Sequence, residues 1–265
     1  MPELPEVETI RRGLERTILK RRIGAVHIFE PRVITGSAFQ MIDELTARAA
    51  HGVRRHGKWL FLDFDSFSLS IHLRMTGTLL YVPAGTPREN STHIVLRFDD
   101  GEGELHYGDV RKFGRWEILY EPKRHVESVP DAWLAPKTAV IKSLMNRTGM
   151  IKHALLSQKA ISGLGNIYVD ETLHRAKIHP RRRIEKISPQ KIDVFYTGMK
   201  EILKKSIEIG GTSFRDYVDT EGQRGGYKEW LVVYGKAGSD CACGGKIRRI
   251  VVAGRGTFYC PKCQK

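Results

Sequence analysis

No cysteine occurs in the first 240 residues; Cys241, Cys243, Cys260 and Cys263 all fall in the last 25 positions. Disulfide scaffolds spread their cysteines through the chain, so the clustering excludes one here and points to a metal. Long apolar runs are also missing. None approaches the roughly 18–20 residues of a membrane-spanning helix, so no membrane partner is expected. The opening MPELPEVETI has no basic stretch ahead of an apolar one, which argues against a secretory signal. A soluble cytoplasmic protein follows as the expectation, with a monomer as its plainest state. Internal repeats are absent. Core material is not, because 41% of the chain is hydrophobic, which excludes a disordered tail protein.

The second half lacks acidic residues to balance its cations. Residues 1–121 carry 17 Lys+Arg and 17 Asp+Glu, whereas residues 122–265 carry 27 and 13, so the whole +14 lies there. A solvated basic surface would account for this; so would a polyanion-binding half joined to a neutral half with another task.

The periodicity changes in the same place. Leu4, Val7, Ile10, Leu14 and Ile18 recur at helical steps, which predicts a helix from Pro2 to about Lys20. From Ile23 to Tyr120 the pattern is short β-branched and aromatic runs broken by Gly, Asp, Pro and Asn, a sandwich or open barrel with a helical insert near 38–50. The expected domains are a β-rich 1–121, a linker at 122–136, a helical 137–226 ending in a Gly-rich stretch, and 227–265. The fold class is α+β. The last 30 or so residues are too few to bury a core unaided and require a metal.

Several residues carry possible chemistry. If Met1 is removed, Pro2 becomes a secondary amine with a pKa of about 7.7–8.0, unprotonated in about a tenth of molecules at pH 7. Such an amine can form an iminium with an aldehyde, and Glu3 beside it could move protons. Pro2 could equally just start the helix. GLGN at 163–166 suits a phosphate at a helix N-terminus, or an ordinary turn. Cys-x-Cys, sixteen residues, then Cys-x-x-Cys can give tetrahedral zinc at the base of a β-hairpin, with Arg255 at its Gly-Arg-Gly tip. Taken singly, Lys58 and Arg111 read as surface cations, and Met75 and Phe113 as core.

MPELPEVET, GKWLFLDF, HLRMTG, GDVRKFG, SGLGNIYVDE, GGTSFRDYV and VVAGRGTFYCPKCQ, in this order, resemble the bacterial formamidopyrimidine-DNA glycosylase family over essentially the whole chain. The resemblance implies an N-terminal β-sandwich with a leading helix, a helix–two-turn–helix domain and a zinc finger, with damaged double-stranded DNA in the cleft. It implies excision of oxidised purines, such as 8-oxoguanine and formamidopyrimidines, followed by β,δ-elimination, with one structural zinc and no redox cofactor. Pro2 matches the nucleophile, Glu3 its proton donor and acceptor, Lys58 a phosphate-contacting lysine that assists elimination, and Arg255 the zinc-finger arginine. Lys152 and Asn166 match phosphate-binding positions; His93 and Arg147 match DNA contacts. Met75, Arg111 and Phe113 match the trio that fills the void left by an extruded base, and 216–227 a mobile loop that closes over it. An endonuclease VIII-like enzyme for oxidised pyrimidines is the nearest alternative, and a catalytically inactive DNA-binding relative the next. The chain departs from the family pattern in its first cysteine pair, which usually encloses two residues and here encloses only Ala242. A retained Met1 would also make the Pro2 nitrogen an amide, unable to attack.

Overall fold

The computed structural model describes residues 1–120 and 125–265. The chain forms two compact units, Met1–Arg124 with Ile209–Gly226, and His125–Glu208 with Tyr227–Lys265. Residues 122–124 of the expected linker lie outside the described residues. Among the described residues, no helix is long and apolar enough to cross a membrane.

In the first unit, α1 spans Leu4–Thr17, slightly shorter than its periodicity predicts. Pro2 and Glu3 stay outside it because Glu3 is the N-cap, in extended conformation, and its amide donates to Glu6 Oε2 at 2.7 Å. Leu4, Val7, Ile10, Leu14 and Ile18 are all buried, as their spacing requires. Among the described residues the strands that follow are β1 (Ile23–Ile28), β2 (Ile34–Thr35), β3 (Gly52–His56), β4 (Trp59–Asp63), β5 (Ser68–His72), β6 (Gly77–Pro83), β7 (Thr92–Phe98), β8 (Gly103–Asp109) and β9 (Arg115–Leu119). The helical insert is α2, Ala38–Leu45, capped by Ser37. The strands form two sheets, ordered β1-β7-β8-β6 and β2-β9-β5-β4-β3, antiparallel except for β2 against β9. Ile94, Leu96, Leu105 and Leu79 from one sheet share a core with Leu60, Leu62, Ile71 and Trp116 from the other and with the apolar stripe of α1.

Residues 209–226, grouped with the helices by sequence, belong to this first unit, and part of the expected mobile loop is anchored. Glu6 Oε1 accepts the Thr212 amide at 2.7 Å. The Tyr217 ring lies in the core, its hydroxyl 3.0 Å from the Gly210 carbonyl. The Thr220 carbonyl accepts from the Tyr81 amide of β6 at 2.8 Å. Residues 221–224 remain exposed.

The second unit contains α3 (Lys137–Met145), α4 (Ile151–Leu156), α5 (Asn166–Arg175), α6 (Pro189–Glu208) and a hairpin of β10 (Arg248–Val252) with β11 (Arg255–Tyr259). α5 is buried along Ile167–Leu173 and packs on α6, where the Tyr168 and Ser206 hydroxyls lie 2.6 Å apart. Glu171 Oε2 accepts the amide of Val232, and Oε1 those of Val233 and Tyr234, at 2.8–2.9 Å. The hairpin turns at Ala253 and Gly254, both with positive φ as a two-residue hairpin turn requires. Arg255 is therefore the first residue of β11, paired with Val252, rather than the tip itself.

Gly211 has φ +84°, and a Cβ there would lie 2.8 Å from Glu6 Oε1. Gly211→Ala should cost about 1–3 kcal/mol in strain, read as a lower urea midpoint with an unchanged slope. Gly222→Ala has a similar φ but open space, so it should cost less. Equal costs would show that the Glu6 contact contributes nothing.

Candidate functional site

Glu3, Glu6 and Glu8 at the head of α1 are buried to 3%, 1% and 6% exposure, and Pro2 is buried beside them. Lys58 sits in the two-residue turn joining β3 to β4, yet is only 6% exposed. An ammonium buried at a hairpin turn is uncommon and needs a reason. The turn is fastened to α1 through Arg55, whose Nε donates to Glu8 Oε2 at 3.0 Å and whose Nη1 donates to the Gly57 carbonyl at 3.0 Å. One buried guanidinium thus ties the segment bearing Lys58 to the helix bearing Pro2 and Glu3. Sequence reasoning did not single out Arg55.

Met75, Arg111 and Phe113 come together at the surface of the same unit. Met75 is 37% exposed and Phe113 48%, so neither is a core residue. The Arg111 guanidinium lies 4.6 Å over the Phe113 ring, with Nη1 2.9 Å from the Met75 sulfur. Their frame is Asp109, which is 1% exposed. Its Oδ1 accepts from the Arg111 amide at 3.1 Å and from the Thr76 hydroxyl, and its Oδ2 accepts the Gly114 amide at 2.7 Å and the Tyr107 hydroxyl at 3.2 Å. Burial beside this carboxylate pushes the Tyr107 phenol well above its usual value, so it remains a donor. Asp two residues before the amide it accepts is an Asx turn, a signal present in GDVRKFG. His93, expected to contact DNA, is 4% exposed and lies with Nε2 2.8 Å from the Asp109 carbonyl. Its ring braces this turn from behind instead of facing outward.

In the second unit Asn166 opens α5; its Nδ2 donates to the Gly256 carbonyl at 2.8 Å, while its buried Oδ1 has no hydrogen-bond partner among the described residues. Arg147 and Arg255 are exposed. Arg147 lines a cavity of about 560 Å³ with Lys159, Ser143 and Gln158. Lys152 requires a correction. Its side chain is 0% exposed, and Nζ lies 2.5 Å from Asp170 Oδ1, itself buried. Asp170 Oδ2 also accepts the Phe258 amide at 2.8 Å. Burial pushes the Asp170 carboxyl up, to about 7, against the pull of Lys152. Lys152 is an interior counter-ion, with no surface to offer a phosphate.

The four cysteine sulfurs lie within 4.8 Å of one another, with Cys241–Cys263 at 4.0 Å and Cys243–Cys260 at 3.5 Å. Tetrahedral zinc with Zn–S of about 2.3 Å sets sulfurs about 3.8 Å apart, so the donor set fits. The short Cys-x-Cys loop closes through Gly244 and Gly245, the Cys241 amide donating to the Gly245 carbonyl at 2.8 Å. A Cβ on Gly245 would lie 2.9 Å from Cys260 Sγ. Gln264, also missed, accepts the Cys260 amide at 2.7 Å and donates to the Ile178 carbonyl at 2.8 Å.

Three family models match in succession: the formamidopyrimidine-DNA glycosylase N-terminal domain at 1–116, the formamidopyrimidine-DNA glycosylase H2TH domain at 130–218, and the zinc finger found in FPG and IleRS at 242–265. The last begins one residue after Cys241, where the chain's cysteine spacing is short. The chain is 39% identical over 275 residues to the formamidopyrimidine-DNA glycosylase of Exiguobacterium sibiricum, covering 100% of this chain and 99% of the relative. It is 41% identical over 276 residues to that of Lactococcus lactis subsp. cremoris, covering 100% of both. Among solved structures, the complex between Lactococcus lactis Fpg and DNA containing an abasic site matches with TM-score 0.90 and 38% identity over 99% of each chain.

Lys152→Met should lower the folding free energy by about 3–5 kcal/mol, because it strands a buried carboxylate. Adding Asp170→Asn should recover much of that loss in a denaturant titration. A single variant as stable as the parent would return Lys152 to the surface.

Proposed function

The chain belongs to the formamidopyrimidine-DNA glycosylase family, and on that premise we propose how its own residues carry out excision and strand cleavage. It is a DNA glycosylase with lyase activity at abasic sites, acting on damaged duplex DNA, and its finger holds one structural zinc. Its lesions are oxidised purines, 8-oxoguanine and formamidopyrimidines, and it works as a monomer in the bacterial cytoplasm. The observation that carries the residue assignments is the amino-terminal cluster: Pro2 and Glu3 buried at the cap of α1, with the Lys58 turn fastened to that helix through Arg55 and Glu8.

A glycosylase cannot reach C1′ of a stacked nucleotide, so the damaged one is turned out of the helix. Met75 and Phe113 fill the gap, and Arg111 hydrogen-bonds the orphaned base. Removal of Met1 frees the Pro2 nitrogen, whose lone pair attacks C1′ as the bond to the base breaks. Glu3 delivers the proton that the departing base needs. The amine gives up its single N–H as it attacks; opening of the sugar ring then breaks the C1′–O4′ bond, O4′ takes a proton to become a hydroxyl, and C1′ is left as a charged iminium on Pro2. That charge acidifies C2′–H, and elimination expels the 3′ and then the 5′ phosphate, β then δ. Lys58, Asn166, Arg147 and Arg255 hold phosphates, and Arg255 takes part in the later proton transfer. Lys152 supports this surface from within.

Borohydride added during reaction with an 8-oxoguanine duplex should link the DNA to Pro2, as mass spectrometry of the trapped peptide would show. Protein retaining Met1 should bind DNA but neither excise nor trap, because the amide lone pair is delocalised. Glu3→Gln should cut excision strongly and act less on a ready-made abasic site. An adduct on Lys58 alone, or preferential excision of an oxidised pyrimidine, would overturn the reading.

The outward-facing residues give a separate test. Arg255→Ala should weaken binding to every duplex and reduce the salt slope by about 1. Phe113→Ala should lower excision far more than melting temperature, since buried aromatic truncation would cost about 3–5 kcal/mol. A large loss of stability with normal excision per folded molecule would place Phe113 in the core.

A further inference from the structure

α5 meets the zinc hairpin through three polar residues spaced four apart, which puts them on one helix face. Near the turn, Asn166 donates to the Gly256 carbonyl at 2.8 Å. Midway along, Asp170 accepts the Phe258 amide at 2.8 Å. At the base, His174 places Nε2 3.3 Å from Cys241 Sγ and 3.8 Å from Cys263 Sγ. The first two residues grip the backbone of β11, but the third meets the metal-binding sulfurs themselves.

Four thiolates around one zinc carry a net charge of −2, and donors from the surrounding protein stabilise that excess. The four sulfurs already supply a complete tetrahedral set, and the imidazole reaches their Cys241–Cys263 edge from outside. We propose that His174 is an outer-shell residue of the zinc centre, whose Nε2–H donates to the Cys241 thiolate and, more weakly, to Cys263. Zinc thereby fixes the base of the hairpin to the last turn of α5, while Asn166 fixes the other end to the first turn. His174 positions ligands and takes no part in the chemistry on DNA. The short Cys-x-Cys loop makes this support useful, because it encloses one residue and closes through a tight two-glycine turn. The proposal rests on the reading that the four cysteines hold zinc, and its test separates the two.

The full-length, zinc-loaded parent and its His174→Ala, His174→Phe and His174→Gln variants would be challenged with excess 4-(2-pyridylazo)resorcinol, and zinc release followed by absorbance. The same proteins would be loaded with cobalt(II) for electronic spectra. Phe fills the site without a donor, whereas Gln keeps an N–H. Ala and Phe should release zinc about 10–100-fold faster than the parent, and Gln should recover most of that loss. All four should give tetrahedral four-sulfur cobalt bands, with the charge-transfer bands displaced only where the donor is gone. If Ala does not fold, Phe and Gln decide the matter. Release by Phe at the parental rate would reduce His174 to packing. A parental cobalt spectrum with nitrogen ligation that Phe abolishes would make it a ligand. Either result overturns the proposal. A parent containing no zinc would instead refute the metal reading itself.

Discussion

The Glu6 carboxylate is the interaction on which the order of the first unit's amino terminus depends. One of its oxygens takes the amide of Glu3, which caps α1 immediately after Pro2, and the other takes the amide of Thr212, more than two hundred residues away. An amino terminus is ordinarily the least ordered part of a chain. Here it is fixed at both ends of one buried carboxylate, and its rotational freedom is lost before any substrate arrives. In the mechanism proposed above, a nucleophile must meet its carbon within a narrow range of distance and angle, and an amino terminus held this way is ordered in advance. The 209–226 segment gains the same definition, with Tyr217 in the core and Thr220 on β6.

The second unit repeats the device on α5. Asp170 and Glu171 are adjacent and both buried, and each is surrounded by N–H donors on segments distant in sequence. Burial pushes both carboxyls up, and the donors work in the opposite direction. Such groups contribute little net stability compared with apolar packing, but their directional bonds admit only one placement of their partners. Glu171 sets residues 232–234, and Asp170 sets β11 just beyond Arg255. The strand that carries the exposed Arg255 is thus placed by a carboxylate buried beneath it.

What was legible in the sequence follows from how local each interaction is. The α1 stripe, the strand alternation, the paired cysteines and the hairpin between them rely on neighbours within a few residues. Asp109, Glu6, Arg55 and Glu171 could not be read this way. An isolated acid or arginine looks like any solvated charge until the fold brings its partner beside it. Two left a local trace: Asp109 in the Asx-turn spacing of GDVRKFG, and Glu6 in its three-residue spacing from the Glu3 cap, though not in its bond to Thr212. Lys152 illustrates the opposite failure. In the run IKHALL it resembles an outward-facing cation, but α4 is only 6 residues long and buries Ile151, Ala154 and Leu155 as well. Asp170, eighteen residues on, makes a buried ammonium tolerable. His93 fails for a similar reason, its ring nitrogen committed to the Asp109 carbonyl.

These burials also alter what the +14 means. Charges count most at contact range, where a phosphate meets individual side chains through little solvent. On α5 two carboxylates are withdrawn from the surface of the basic unit, against the single ammonium of Lys152. The face left to solvent is therefore more cationic than residue counts suggest, and the withdrawn acids are the groups that would have repelled a phosphate. The same carboxylates hold the backbone that carries the exposed arginine. Charge removed from the surface and order imposed beneath it are two consequences of one arrangement, and counting lysines and arginines along the sequence registers neither.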